Sequence, residues 1–289
     1  MKIGLLGAGL MGSTFAQRLA KQGFNISVYN RTLTKITALA DQGIKISDSV
    51  DEIIAGSDTL VLMLSDAEAI RSVLLPDHAN LDLTGKTIIQ MATIAPEQSR
   101  QLHQDFSNLN GKYIEAPVLG STPEAEAGKL IIMAGGDASL FTEILPILNA
   151  LSESPQLVGE VGTAAALKLS MNQLIASLTS AFSLSLGFAL NNNVDLDAFM
   201  ETVRASALYA PTYDKKLSKY LDRSFAGANF STKHLLKDIN LFLLDAKKLG
   251  LATQALEGVG EITKIAVDQG LGNQDYSSIY QIINPEDAE

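Results

Sequence analysis

The longest unbroken pattern in the chain lies in its middle. Residues 162–193 read GTAAALKLSMNQLIASLTSAFSLSLGFALNNN, with neither Gly nor Pro from 163 to 186. Ala, Leu, Ser and Met dominate, and these favour one long helix. No charge falls from 169 to 190, a length that could cross a bilayer. Ser170, Asn172, Gln173, Ser177, Thr179, Ser180, Ser183 and Ser185 interrupt it, which is costly in lipid and ordinary inside protein. The pattern predicts a core helix of a soluble protein. Before it, apolar runs at 2–6, 25–29, 44–46, 58–64, 87–92, 112–118 and 129–135 predict strands alternating with helical periods. After it, helical periods at 196–205, 213–221, 232–249, 253–269 and 276–283 follow with no strand of any length. The expected architecture is an α/β Rossmann-type N-terminal domain (1–161) followed by an all-α C-terminal domain (162–289), joined by the long central helix.

The first strand runs directly into Gly7-Ala8-Gly9-Leu10-Met11-Gly12, and a helical period opens at Ser13. A GxGxxG pattern carries weight here because strand, glycine turn, helix and second strand form one βαβ unit. The first glycine permits the tight turn, the second lets backbone approach a pyrophosphate, and the third lets helix pack on strand. The helix N-terminus offers free N–H groups to the phosphates. After the second strand, an NAD site usually places Asp or Glu against the ribose hydroxyl. This chain has Asn30-Arg31-Thr32 instead. Arg31 can pair with a 2′-phosphate and stack on the adenine, and Asn30 and Thr32 add hydrogen bonds. The expected cofactor is NADPH in preference to NADH.

Composition narrows the field. Lys and Arg number 22 against 32 Asp and Glu, a net charge of −10, which argues against nucleic acid or an anionic membrane as the main partner. Without cysteine there is no disulfide, thiolate metal site or thiol nucleophile. His78, His103 and His234 are scattered, so no metal is expected. The N-terminus lacks the basic region, long apolar core and cleavage site of a secretory signal. A cytoplasmic location is expected.

Several residues could carry chemistry. Lys168 is the one charge in the long helix, with Asn172 four residues on over the same face. A buried ammonium aimed by an amide is what a proton donor needs, although a lysine can equally pack its stem and let its head reach water. Thr93 lies just past a strand's carboxyl end, where open α/β sheets bind ligands, or it caps the following helix. Gly120 and Ser121 offer small size, backbone donors and a hydroxyl to a carboxylate. Ser65-Asp66-Ala67-Glu68 predicts a capping box. Lys237 and Asp238 read by spacing as a solvated surface pair.

Together these segments resemble the β-hydroxyacid dehydrogenase family over essentially the whole chain. They are most similar to its branch of NADPH-dependent glyoxylate and succinic semialdehyde reductases. The resemblance rests on GLLGAGLMGS, Asn30-Arg31-Thr32, EAPVLGS (115–121), the helix opening GTAAALKLSMN (162–172), and Phe230 with Lys237-Asp238. Leu119 stands where the family usually has Ser, and Gln90-Met91-Ala92 precede Thr93 where a Ser is common. The resemblance implies reduction of a small carboxylate-bearing aldehyde or oxo acid, with Lys168 and Asn172 as the catalytic pair. It implies a cofactor set of Gly7, Gly9, Leu10, Met11, Gly12, Asn30, Arg31, Thr32, Met63, Leu64, Thr93 and Lys237. The implied substrate contacts are Thr93, Gly120, Ser121, Phe230 and Asp238. A 3-hydroxy acid dehydrogenase of the 3-hydroxyisobutyrate or tartronate semialdehyde kind is the alternative, and an inactive nucleotide-sensing or scaffold protein is another. Imine reductases share the architecture but commonly lack the lysine. The long apolar helix further predicts a homo-oligomer, a dimer or tetramer.

Overall fold

The computed structural model describes residues 1–75 and 81–286. The chain divides into two compact units, Met1–Leu169 and Ser170–Glu289. In the first, strands β1 (Lys2–Leu6), β2 (Asn25–Tyr29), β3 (Lys45–Ile46), β4 (Thr59–Leu62), β5 (Thr87–Gln90), β6 (Lys112–Glu115), β7 (Val118–Leu119), β8 (Ile131–Gly135) and β9 (Gln156–Gly159) make one sheet. Its order is β3-β2-β1-β4-β5-β6-β8-β7, with β9 beside β8. The strands from β3 to β6 pair in parallel, as a doubly wound sheet does. β8 is antiparallel to both β6 and β7, and β9 is parallel to β8. Aliphatic side chains of β1, β4 and β5 are buried throughout, which a parallel sheet covered on both faces requires.

Helices α1 (Leu10–Lys21), α2 (Thr37–Ala40), α3 (Val50–Ala55), α4 (Ala67–Leu74), α5 (Pro96–Asn108), α6 (Thr122–Ala127) and α7 (Ala138–Leu151) belong to this unit. Two apolar clusters hold it together. One gathers Phe15, Leu19, Ile89, Ile114, Ile132 and Ile147, the other Leu6, Leu62, Ile70, Ile88 and Phe106. Helix α8 (Thr163–Asn191) carries the chain from the first unit into the second. The second unit adds α9 (Leu196–Ala205), α10 (Pro211–Leu221), α11 (Thr232–Lys248), α12 (Gln254–Asp268) and α13 (Tyr280–Ile283). Stacked rings of Phe182 and Tyr213, 4.2 Å between centroids, anchor one of its clusters.

The structure departs from the sequence pattern in places. The expected strand 112–118 breaks into β6 and β7 at Ala116-Pro117, since proline lacks the N–H a ladder needs. Helices α2 and α7 and strand β9 were not expected, and 276–283 is a 3₁₀ turn before α13. Ser65 does not cap α4: Asp66 does, accepting from the Ala69 amide at 2.8 Å, and Ser65 Oγ donates to Asp66. Helix α8 is less buried than a core helix, because only 39% of its most apolar 18-residue stretch is buried. Leu174, Leu184 and Phe188 remain exposed in the single chain.

Candidate active site

The register of the sheet aligns the segments singled out in the sequence. Tyr29, Leu6, Leu62, Gln90 and Glu115 are successive partners across β2, β1, β4, β5 and β6. The residues that follow them, Asn30, Gly7, Met63 and Met91, therefore emerge along one carboxyl edge. The strand order reverses between β2-β1 and β4, and ligands of open α/β sheets bind at such a switch point.

Each glycine of the first loop has a distinct reason to lack a side chain. Gly7 has φ +96°, and a Cβ there would lie 2.4 Å from the Met63 carbonyl oxygen. Leu64 abuts the same position, so Met63 and Leu64 form a wall of the loop. A Cβ on Gly12 would lie 2.1 Å from the Gly7 oxygen. Around Gly9, by contrast, an added Cβ would meet nothing within 4 Å. The α1 N-terminus at Gly9 has no side-chain cap and no acidic residue in its first turn. Open backbone beside uncapped amides fits a pyrophosphate. Leu10, 56% exposed, projects beside it, and Met11 packs against the core cluster. At the end of β2, Arg31 and Thr32 are exposed and the Asn30 amide donates to the Thr32 carbonyl at 2.9 Å. The Gly7 amide in turn donates to the Tyr29 carbonyl, tying this turn to the glycine loop.

Past β5, Thr93 lies two residues ahead of Ala95, the residue that opens α5, and the Gln98 side chain of the first turn accepts from the Ala95 amide at 2.9 Å. Gly120, φ +129°, turns the chain into α6, and Ser121 caps that helix. Both Ser121 donors, amide and hydroxyl, go to Glu124 at 2.7 and 2.5 Å. A substrate carboxylate held by Ser121 therefore has to displace Glu124.

Lys168 sits on α8, 9% exposed, and Asn172 one turn on is 3% exposed. Within the helical unit the Asn172 amide donates to Asp238 at 2.6 Å. The Lys237 ammonium lies 3.1 Å from the other Asp238 oxygen. Asp238 is buried, which corrects the solvated pair expected from spacing. Burial follows from its position on the inward face of α11 beside Leu235 and Ile239. Phe230 is half-buried against the Tyr276 ring, 5.7 Å between centroids.

Two buried charged sites, the Lys216–Asp275 pair and Glu115, have no role assigned from the sequence. Lys216 donates to both Asp275 oxygens, at 2.9 and 2.7 Å. Burial pulls its ammonium below the usual lysine range while Asp275 resists. Nothing in the spacing of α10 marks it out, since its partner is 59 residues away. Glu115 ends β6 fully buried and accepts from the Gly162, Ala164 and Ala165 amides. Burial pushes its carboxyl above the usual range, against the opposing pull of Ser99 and those amides. The signal was present: a carboxylate closing an apolar strand just before proline. Among the described residues no group of three or more His, Cys, Asp or Glu could hold a metal; His78 lies outside them.

Residues 2–162 match the NAD binding domain of 6-phosphogluconate dehydrogenase. Residues 162–283 match the NAD-binding domain of NADP-dependent 3-hydroxyisobutyrate dehydrogenase. The chain belongs to the β-hydroxyacid dehydrogenase family, of the 3-hydroxyisobutyrate dehydrogenase type. It is an oxidoreductase of CH–OH and aldehyde groups that takes a nicotinamide cofactor and a small-molecule substrate. It is 32% identical over 285 residues to glyoxylate/succinic semialdehyde reductase 1 of Arabidopsis thaliana, covering 98% of each chain. To the chloroplastic reductase 2 of the same plant it is 30% identical, over 98% of this chain and 79% of that one. Further relatives carry the name cytokine-like nuclear factor N-PAC. The human one is 26% identical over 97% of this chain, which spans 51% of that protein. The fold is shared with Mycobacterium tuberculosis 3-hydroxyisobutyrate dehydrogenase, with a TM-score of 0.87 at 21% identity over 97% of this chain and 98% of that one.

Proposed function

We propose that this enzyme reduces small carboxylate-bearing aldehydes and oxo acids, of the glyoxylate and succinic semialdehyde kind, with NADPH. The observation that carries the reading is a buried lysine on α8, one turn ahead of an amide whose direction is fixed by a buried carboxylate. Bound NADPH supplies the hydride. Lys168 stabilises the negative charge that develops on the substrate oxygen and then gives it a proton. Asn172 donates its amide to Asp238, and the acceptor end of that side chain, its carbonyl oxygen, orients the ammonium. Thr93, Gly120 and Ser121 receive the carboxylate, Ser121 exchanging Glu124 for substrate. The family resemblance gives Phe230 and Asp238 substrate roles and Lys237 a cofactor role.

Asn30, Arg31 and Thr32 support NADPH over NADH, because the turn offers a guanidinium and hydroxyl where a ribose-binding carboxylate would repel a phosphate. The exposed apolar residues of α8 support a homo-oligomer. The acidic surface is compatible with a cytoplasmic setting. The test is a panel of glyoxylate, succinic semialdehyde, tartronate semialdehyde and 3-hydroxyisobutyrate followed at the nicotinamide absorbance with both cofactors. Reduction of the aldehydes with NADPH is expected to be fastest. Arg31→Ala is expected to weaken NADPH binding by about 1.5–3 kcal/mol, the worth of one charge-assisted contact, and to leave NADH nearly unaffected. Faster oxidation of a 3-hydroxy acid, or equal use of NADH, would overturn the reading.

A further inference from the structure

The amides that open a helix usually find a cap in their own sequence, from a side chain at the residue before the first turn. Helix α8 is opened differently. Gly162 precedes it with φ +99° and no side chain; the Thr163 amide donates to the local Glu160 carbonyl, but the acceptor for the amides on either side of it comes from the far end of β6. Glu115 Oε1 accepts from Gly162 N at 2.8 Å, Ala164 N at 2.8 Å and Ala165 N at 3.2 Å, across 47 to 50 residues of sequence. Glu115 Oε2 accepts from Ser99 Oγ on α5, and Ser99 Oγ shares a hydrogen bond with the Tyr113 hydroxyl at 2.8 Å. Ser99 and Glu115 are both fully buried. The carboxylate is therefore fixed from both sides, by α5 and by α8.

The neighbouring strand makes room for it. Gly135 of β8 is the registered partner of Glu115. A Cβ at Gly135 would lie 2.5 Å from Glu115 Oε1 and 2.9 Å from the Glu160 carbonyl. A local Ser or Asp cap would satisfy the same amides without tying the helix to anything else. Glu115 instead bonds the first turn to the row of residues that ends the strands at the carboxyl edge. Lys168 lies one turn beyond Ala164 on that helix, so the axial position and rotation of the first turn set where its stem begins.

We propose that Glu115 is a positioning residue for Lys168, acting through the backbone of the first turn of α8; the proposal rests on the reading of Lys168 as proton donor. Loss of the anchor is expected to misplace Lys168 by a fraction of a turn, and misplacements near 1 Å cost about 10²-fold in rate. Glu115→Gln keeps an acceptor oxygen for the amides and retains most of the activity. Gly135→Ala leaves the carboxylate present but crowds it, and so repeats the defect of Glu115→Ala in milder form.

The experiment uses the full chain and glyoxylate reduction by NADPH. Glu115→Ala, Glu115→Gln, Gly135→Ala, Lys168→Ala and the double variant Glu115→Ala/Lys168→Ala are compared for kcat, KM, NADPH dissociation constant and unfolding midpoint. The expected result is a kcat of Glu115→Ala down about 10²-fold with the NADPH dissociation constant within about twofold. Glu115→Gln is expected within about fivefold of wild type, and in the Lys168→Ala background Glu115→Ala should cost less than about a further twofold, because both changes act through one group. A folded Glu115→Ala protein with wild-type kcat, or effects that multiply in the double variant, would overturn the proposal. If Glu115→Ala does not fold, Gly135→Ala decides: a lowered kcat with intact NADPH binding supports positioning, and an unchanged kcat overturns it. Failure of the underlying reading is distinguishable, since then Lys168→Ala alone keeps wild-type kcat.

Discussion

The two ends of α8 are held by opposite means. Its first turn is tied to a buried carboxylate nearly fifty residues away in the chain, and it carries Lys168. Its last turns are finished mainly locally, although the Asn191 amide also donates to Asn284 Oδ1 at 3.2 Å. Asn191 and Asn192 donate side-chain amides to the Gly187 and Phe188 carbonyls at 2.8 Å each. There the surface is apolar, with Leu184 62% and Phe188 72% exposed. A long-range polar anchor fixes the backbone of the first turn within one chain. An exposed apolar end fixes nothing by itself and gains free energy only when something covers it. The two proposed roles divide the same way, chemistry at the one end and assembly at the other.

The comparison breaks most sharply at Lys168. Lys168→Ala is expected to lower kcat by about 10²–10⁴-fold, the range of general acid catalysis, with NADPH affinity nearly intact. Lys168→Arg should rescue little, because a guanidinium keeps its charge and does not release its proton near neutral pH. An Arg variant with most of the wild-type kcat would make the lysine an electrostatic anchor. At the other end, Phe188→Asp should shift sedimentation toward smaller species, since each buried Phe contributes roughly 1.5–3 kcal/mol. Its effect on kcat per active protein should be small. An unchanged oligomer would assign the apolar end to some other role.

Smaller effects sharpen the contrast. Gly162→Ala places a Cβ at φ +99° and 2.3 Å from an Arg100 guanidinium nitrogen. A cost of about 1–3 kcal/mol in denaturant unfolding is expected from the backbone alone. Gly187, buried near the other end of α8, lacks a positive φ; a Cβ there would lie 2.9 Å from the Asn284 side chain, which can shift, so the cost of Gly187→Ala should be lower. The smallest effect concerns pH. Burial raises the folded-state carboxyl of Glu115 above its unfolded value. Its contribution to stability is then fully present below the usual carboxylate range and is lost as pH rises through the folded value. The stability of wild type relative to Glu115→Gln, which does not titrate, should accordingly fall as pH rises from the acidic side toward neutrality. A pH-independent difference between the two would show that Glu115 does not titrate in that window.

Much of this was legible because it is local. The glycine turn, the βαβ order, the span of α8 and the helical second half all follow from period and turn chemistry within a few residues. Asn30-Arg31-Thr32 and the Lys168–Asn172 spacing were visible for the same reason. What only the tertiary structure decided depends on partners distant in sequence. Strands β7, β8 and β9 take their directions from pairings that no local pattern encodes. Asp238 reads as solvated from spacing, yet Asn172, 66 residues away in the chain, donates to it. Ser121 reads as an open ligand donor from sequence, yet its amide and hydroxyl both donate to Glu124. Glu115 shows the difference most clearly, because its residue type is plain in the sequence but its work begins only when the sheet register brings it to the start of α8. Local free-energy preferences are written in neighbouring residues, whereas the satisfaction of a buried charge depends on which groups the fold brings around it.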